Sequence, residues 1–146
     1  MIPAQLGRRF RVMAFAFAVL LLVPAWGNAA DLSGEWSGTW QSCVTGHKGV
    51  LKGTFCRVDE GHYRVDFRGR FFKIMPFRYS VTLNVVEEGE TVKLSGDSYL
   101  GRLIGTFTYE AAATSTEFTA NYSSCKDSGT FVMSRCCEAC CEQGCE

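Results

Sequence analysis

The stretch that decides the fold is YRVDFRGRF, residues 63–71, in which apolar and charged side chains alternate strictly. Its aromatic and aliphatic residues share one parity with Gly69, and its three arginines and one aspartate occupy the other. A period of two residues is typical of a β-strand with one buried face and one wet face. A sheet that is solvated on one face is normally antiparallel. The stretch therefore predicts an antiparallel sheet whose inner face is largely aromatic.

The same alternation recurs along the chain, separated by short clusters of glycine and charged residues. It predicts eight strands, at about residues 34–42, 47–57, 62–72, 77–86, 91–99, 103–112, 117–123 and 129–135. Short links favour a meander, and eight strands of a meander close into an up-and-down barrel or flatten into a sandwich. Glycines recur on the inward parity, at Gly38, Gly53, Gly69, Gly96 and Gly105. Interior glycines let strongly bent strands cross, which favours the barrel.

The first and last strands carry a second indication of closure. The sequence GEW, residues 34–36, opens the first strand, and Arg135 ends the last. In a closed barrel these strands are neighbours, so Arg135 is expected to stack on the ring of Trp36. This pair resembles the signature of the calycin barrels, the group of lipocalins and avidins. Biotin binding is not implied, because Trp36 and Trp40 are the only tryptophans after residue 30.

A broader resemblance rests on several short segments of the chain. TGHKG, GRFFKIMPFRY, LSG, GTFTYEA and SSCKDSG are similar to an uncharacterised family of small secreted bacterial proteins. The resemblance implies export and a small β-fold, and it implies no activity.

The amino terminus has the order of a secretory signal peptide. Arg8, Arg9 and Arg11 precede the apolar run VMAFAFAVLLLV, and PAWGNAA then supplies small residues for cleavage after Ala29 or Ala30. The alternative is an uncleaved anchor, but the apolar run is short for a membrane span. The prediction is a secreted or periplasmic protein that is not an integral membrane protein after cleavage. Residues 1–30 form the signal peptide, 31–135 the barrel domain and 136–146 a cysteine-rich tail.

Charge excludes one class of partner. Three of the fifteen Lys and Arg residues and none of the fifteen acids lie in residues 1–30, so the remainder carries a net charge of −3. A chain without excess positive charge offers no general attraction for phosphate backbones. No nucleic-acid partner is expected.

The inward parity contains no Asp, Glu, His or Lys, and general acid–base catalysis needs such a group facing the substrate. His47 and His62 are expected at opposite ends of the barrel, where they cannot cooperate. The chain is therefore not expected to be an enzyme.

The aromatic interior permits two interpretations, a filled core and a pocket for a small apolar ligand. An eight-stranded barrel is just wide enough for its side chains to fill, whereas tyrosine hydroxyls would orient a bound ligand. The candidate ligand-lining residues are Trp40, Phe55, Tyr63, Phe67, Tyr79, Phe107, Tyr109 and Tyr122.

Eight cysteines in a small exported chain normally indicate disulfides. Cys43 and Cys125 fall in turns at the same end of neighbouring strands, which predicts a disulfide across the closure seam. Cys56 ends the second strand at the other end, where the tail begins, and one tail cysteine can pair with it.

The tail, RCCEACCEQGCE from residue 135, holds the remaining candidates: Cys136, Cys137, Cys140, Cys141 and Cys145. Thiolates this close together suit Cu(I) or Zn(II), although no cofactor is certain. The alternatives are local disulfides or a disulfide-linked oligomer, and a tail without a role. The sequence thus predicts a non-catalytic exported barrel that binds a small apolar ligand or a partner. The second hypothesis is a metal-binding or cross-linking protein that acts through the tail.

Overall fold

The computed structural model of the chain describes residues 30–71 and 73–136. These residues form eight strands and no helix. The strands are β1 (Gly34–Ser42), β2 (Lys48–Asp59), β3 (His62–Phe71), β4 (Met75–Glu87), β5 (Val92–Tyr99), β6 (Thr106–Ala113), β7 (Glu117–Ser123) and β8 (Ser128–Arg135).

The strands form one closed antiparallel barrel in the order of the sequence. Each strand pairs with its successor, and β1 pairs with β8 in a register that places Trp36 opposite Arg135. This confirms the predicted up-and-down barrel, and closure leaves no strand edge of the barrel unpaired. The Arg135 guanidinium carbon lies 4.7 Å from the centre of the Trp36 ring, as the sequence predicts.

The largest departure from the predicted strands lies between β5 and β6. The sequence predicts a strand from about residue 103, but residues 102–104 form a turn and β6 begins at Thr106. Gly101 and Gly105 have φ of 94° and 87°, and the Gly105 amide donates to the Gly101 carbonyl at 2.7 Å. The apolar pair Leu103 and Ile104 imitates a strand in sequence, although both side chains are exposed.

Gly38 illustrates why glycine is required on the inner face. A Cβ atom on Gly38 would lie 1.9 Å from the Val132 carbonyl oxygen of the neighbouring strand β8. No side chain fits in that space, so the close approach of β1 and β8 depends on glycine at this position.

The half of the barrel that contains the start of β1 and the end of β8 is a packed aromatic core. The Trp36 ring lies 5.5 Å from the Phe55 ring, and Phe55 lies 5.0 Å from Phe118, centre to centre. Phe67 and Met133 complete this layer, and all five side chains are almost fully buried. This part of the barrel has the filled interior expected of eight strands.

The segment before β1, residues 30–33, closes the lower end of the barrel. Leu32 is fully buried and its carbonyl accepts a hydrogen bond from the Trp36 indole nitrogen at 2.9 Å. Arg135 donates to the carbonyls of Ser33, at 2.5 Å, and Asp31. The stacked arginine thus fixes both the seam between β1 and β8 and the segment that plugs this end. We call it the closed end.

Candidate ligand-binding site

A cavity of about 290 Å³ lies at the opposite end of the barrel, which we call the mouth. Residues from six strands and two turns line it: Trp40, Phe71, Phe77, Arg78, Tyr79, Leu100, Ile104, Phe107, Tyr122, Asp127 and Phe131. The volume stands near the lower limit of about 300 to 1,000 Å³ that is usual for small-molecule sites. The interior of the barrel is therefore filled toward the closed end and hollow toward the mouth.

Beneath the cavity lies the Phe67 ring, which belongs to the packed core rather than to the cavity lining. Phe67 lies 5.4 Å from both Tyr79 and Phe131, which line the cavity, and 6.3 Å from Phe55 in the packed core. The alternation of β3 points Phe67 into the barrel near the middle of its axis, where the side chain is 1% exposed. The boundary between core and cavity thus depends on one aromatic layer.

The cavity walls are aromatic rings in mutual contact. Tyr122 lies 5.5 Å from Phe107 and 5.0 Å from Phe131, and Phe77 stacks on Tyr79 at 6.0 Å. Such separations are typical of favourable aromatic pairs. The walls are therefore both apolar and held in place by their neighbours, as a preformed site requires.

Trp40 lies over Gly49 at one side of the mouth. The two residues face each other across β1 and β2, and a Cβ atom on Gly49 would lie 2.6 Å from the Trp40 indole nitrogen. The absent side chain lets the indole rest against the β2 backbone. The indole nitrogen is buried and has no hydrogen-bond partner among the described residues. It is thus an unpaired donor that is packed against the β2 backbone.

Asp127, in the turn between β7 and β8, places a carboxylate in the wall. It accepts hydrogen bonds from the Ser42 hydroxyl at 2.6 Å and from the Tyr122 hydroxyl at 3.1 Å. The Ser128 amide also donates to it, at 2.8 Å. These bonds hold the Tyr122 ring and bind the last turn to the end of β1.

The three inward tyrosines of this region stay protonated far into the alkaline range. Burial raises the pKa of Tyr109 to about 12. Burial also raises the pKa of Tyr79 well above its usual value, and burial followed by the Asp127 charge raises that of Tyr122. These side chains are therefore neutral at ordinary pH and serve as hydrogen-bonding groups rather than as bases.

The predicted ligand-lining residues divide between the cavity and the core. Trp40, Tyr79, Phe107 and Tyr122 line the cavity. The other four do not: Phe55, Tyr63, Phe67 and Tyr109 are packed into the buried core. The parity of a residue in the sequence indicates whether its side chain points into the barrel, but not how far along the barrel axis it lies. The prediction therefore placed residues of the core and of the cavity in one group.

Several cavity residues were outside the prediction. Leu100, Ile104 and Asp127 belong to turns, where alternation gives no direction, and Phe71 and Arg78 stand at the rim. The expectation of a lumen without acidic groups was incomplete for the same reason, because Asp127 enters from a turn. An aspartate beside the end of a strand was the one signal that could have identified it.

The two histidines lie at opposite ends of the barrel, as predicted. His47 belongs to the turn between β1 and β2 at the mouth, whereas His62 begins β3 at the closed end. The His62 Nδ1 lies 2.6 Å from Asp59 Oδ1, on an exposed surface. This hydrogen bond is the main reason for a lowered pKa of Asp59. The pair is far from the cavity and cannot act on its contents.

Cys43 and Cys125 occupy adjacent turns at the mouth and are both free, exposed thiols in the structure. The Cys43 amide donates to the Ser128 carbonyl at 2.7 Å, which fixes the two turns beside each other. A disulfide between them therefore stays a prediction for the oxidised protein.

The cysteine-rich tail begins at the closed end. The Cys136 amide donates to the Glu35 carbonyl at 2.9 Å, and the Cys136 thiol is free. Cys137, Cys140, Cys141 and Cys145 lie outside the described residues, as do the predicted pairing of Cys56 with the tail and the signal peptide. Within residues 30–71 and 73–136, no three metal-ligating side chains come together.

The part of the chain that the structure describes contains no helix long and apolar enough to cross a membrane. Comparisons of the chain with protein-family models, with curated proteins and with solved structures find no match.

Proposed function

We propose that the protein is a non-catalytic binding module that takes a small apolar, preferably aromatic, molecule into the mouth of the barrel. The observation that carries the proposal is the cavity of about 290 Å³, walled by aromatic rings above a packed floor. A barrel built only for stability would gain from filling this space, because a buried void loses contacts on every side.

The chemistry of the wall indicates the class of ligand. Stacked and tilted rings favour a flat apolar molecule, and the volume suits a ligand smaller than most drugs. Asp127 and Tyr122 already bond each other, so they shape the wall more than they recognise a ligand.

Binding of the neutral fluorescent probe N-phenyl-1-naphthylamine tests the proposal. We expect the probe to brighten on addition of protein, since the cavity excludes it from water. Leu100→Trp places a large side chain at the rim of the cavity and should weaken the affinity at least tenfold. Val132→Trp adds the same side chain to the exposed outer face of β8 and should leave the affinity unchanged.

Two results contradict the proposal. One is a wild-type protein that does not brighten the probe; the other is equal binding by both tryptophan variants. Native mass spectrometry of protein purified from its host adds the identity of a natural ligand. We expect a bound small molecule whose mass disappears in Leu100→Trp.

The tail supports a second proposal, metal binding or cross-linking by its cysteines. The five closely spaced cysteines of residues 136–146 support this proposal. Cys136 leaves the barrel at the closed end, far from the cavity. The two functions can therefore be separated by one truncation. Removal of residues 137–146 should abolish zinc or copper content and any disulfide-linked oligomer, while probe binding at the mouth persists. Unchanged metal content and oligomeric state would contradict the tail's role.

A further inference from the structure

We propose that the mouth of the barrel docks on the anionic headgroup surface of a lipid bilayer. The inference does not depend on the identity of a ligand in the cavity. It rests on the side chains of the four turns that surround the mouth and on their contrast with the closed end.

Exposed apolar side chains stand on three of the four turns around the mouth, and we call them the apolar ring. Ile74 and Leu103 are the most exposed large apolar residues of the described chain, at 84% and 85%. They stand at the tips of the turns between β3 and β4 and between β5 and β6. The ring contains Val44, Ile74, Met75, Leu103 and Ile104. Apolar side chains exposed at loop tips have an unfavourable free energy of solvation in water, which is relieved when they enter the headgroup layer of a bilayer.

Positive charges stand among these apolar tips. The cations of the mouth are Lys48, Arg70, Lys73, Arg78, Arg102 and Lys126. None of them takes part in an ion pair within the described residues. The one acid in these turns, Asp127, is occupied by Ser42 and Tyr122. The mouth therefore presents a net positive surface that the protein does not neutralise.

The closed end has the opposite charge. Arg57, Lys93 and Arg135 are the cations there, and Arg57 pairs with Glu88 while Lys93 pairs with Glu87. Acids remain in excess, seven to three, in the turns and the plugging segment: Asp31, Asp59, Glu60, Glu87, Glu88, Glu90 and Glu117. The barrel is thus polarised along its axis, although the chain as a whole is nearly neutral. A negative surface attracts the mouth and repels the closed end, so the field orients the molecule before contact.

The basic surface also continues down the outer wall from the mouth. An open groove across β1, β2 and β3 is lined by Lys48, Lys52, Arg68, Arg70 and Lys73. Lys52 and Arg68 are direct cross-strand partners, and the Glu35 carboxylate, 3.4 Å from the Arg68 guanidinium, offsets part of their mutual repulsion. The groove still holds more cations than this one acid can neutralise, so an anionic layer that meets the mouth at a tilt is attracted to it as well.

The shape of the mouth favours a lipid surface over a folded protein. A protein interface has a packed apolar centre from which lysine is depleted. Here the centre is the open cavity, and the apolar tips are separated from one another by lysine and arginine. A fluid headgroup layer can surround separate tips, whereas a folded partner would leave the cavity as a void. The combination of apolar insertion and several cations also matches the two signals that peripheral binding needs.

Vesicle cosedimentation tests the proposal with vesicles of phosphatidylglycerol and phosphatidylcholine against phosphatidylcholine alone. We expect binding to the anionic vesicles that weakens as salt rises. The double variant Lys73→Gln, Arg102→Gln should weaken partitioning by roughly tenfold or more, since each cation near such a surface contributes about fivefold. Ile74→Ser with Leu103→Ser should weaken it by a similar factor, and cation removal alone should lower the salt dependence.

The matched controls lie away from the mouth. Arg64→Gln with Lys93→Gln removes two cations from the outer wall toward the closed end, and Val86→Ser removes an exposed apolar side chain there. These variants should bind the anionic vesicles like the wild type. All variants share the same amino-terminal residues, so any contribution of that segment is common to every measurement.

A tryptophan at each end reports orientation directly. Ile74→Trp should show more quenching by brominated lipids and a larger blue shift than the wild type, whose own Trp40 lies at the mouth. Val86→Trp should show no more quenching than the wild type. Equal quenching at both ends, equal loss in mouth and control variants, or no preference for phosphatidylglycerol would overturn the proposal. So would lipid-free self-association that the mouth variants abolish, because the acidic closed end of a second copy would then be the partner.

Discussion

Replacing Arg135 by alanine tests how much of the stability of the barrel depends on the closure of its seam. The guanidinium stacks on Trp36 at 4.7 Å and donates to the carbonyls of Ser33, Asp31 and, at 2.6 Å, Ser115. A cation–π contact contributes about 0.5 to 2 kcal/mol, and hydrogen bonds from a charged donor about 1.5 to 3 kcal/mol each. Because Arg135 is partly solvated and water replaces part of its bonding, we expect a loss of about 3 kcal/mol.

Urea unfolding followed by circular dichroism and tryptophan fluorescence measures this loss. With m-values of about 1 to 3 kcal/mol per molar urea, the midpoint should fall by about 1 to 3 M. Arg135→Lys keeps the charge but loses the planar fork, so it should lie between wild type and alanine.

Arg64→Ala is the matched control, since Arg64 faces solvent on β3 and should change stability by less than about 0.5 kcal/mol. If Arg135→Ala lowers the free energy of unfolding by less than about 1 kcal/mol, or by no more than Arg64→Ala does, then Arg135 does not stabilise the seam between β1 and β8 as argued.

Three further perturbations follow from the packing and the titrating groups. Gly49→Ala would place a Cβ atom 2.6 Å from the Trp40 indole nitrogen and 2.7 Å from the Arg70 carbonyl oxygen. It should therefore lower the free energy of unfolding by about 1 to 3 kcal/mol and weaken probe binding. Gly89→Ala is the control and should change neither, because the nearest atom to its added Cβ is 3.8 Å away. The pKa of Asp31 is lowered mainly by the Ser33 amide, so its contribution is complete above the unfolded pKa and is lost as pH falls through the folded one. Acid titration of stability should therefore show a smaller fall below about pH 4 in Asp31→Asn. Identical acid limbs in both proteins would contradict this role of the Ser33–Asp31 hydrogen bond. The pKa of Tyr109 is raised to about 12, so stability should decrease as pH rises above the unfolded value of about 10, and Tyr109→Phe should lessen that decrease in alkaline urea titrations; a parallel decline in both proteins would contradict it.

The architecture was predictable because closure and alternation leave local marks in the sequence. The alternation of residues 63–71 appears in the burial of β3 from Tyr63 to Phe67, and the Trp36–Arg135 contact follows once the first and last strands are neighbours. What was not predictable lies between the strands. Leu32 fills the closed end without belonging to any periodic segment, and Leu103 imitates a strand while standing exposed at a turn tip.

The candidate site was half predictable for a related reason. Sequence parity identifies inward side chains such as Trp40 and Phe55 alike, but only the register between strands determines that one lies at the mouth and the other in the core. Asp127 reaches the cavity through turn geometry that depends on Ser42, a residue 85 positions away. Long-range arrangement of this kind has no counterpart in a local pattern.

The plug at the closed end also has a consequence for how the chain folds. The hydrogen bonds from Arg135 to Ser33 and Asp31 join residues 102 and 104 positions apart. The barrel can therefore close only after nearly all of the chain between β1 and β8 has formed its strands. Contacts between such distant residues slow folding, toward the millisecond-to-second range of β-barrels. Until β8 docks, β1 and β7 each present an unpaired edge that can capture another chain. Premature termination within β8 should therefore cause aggregation rather than a slightly weakened barrel.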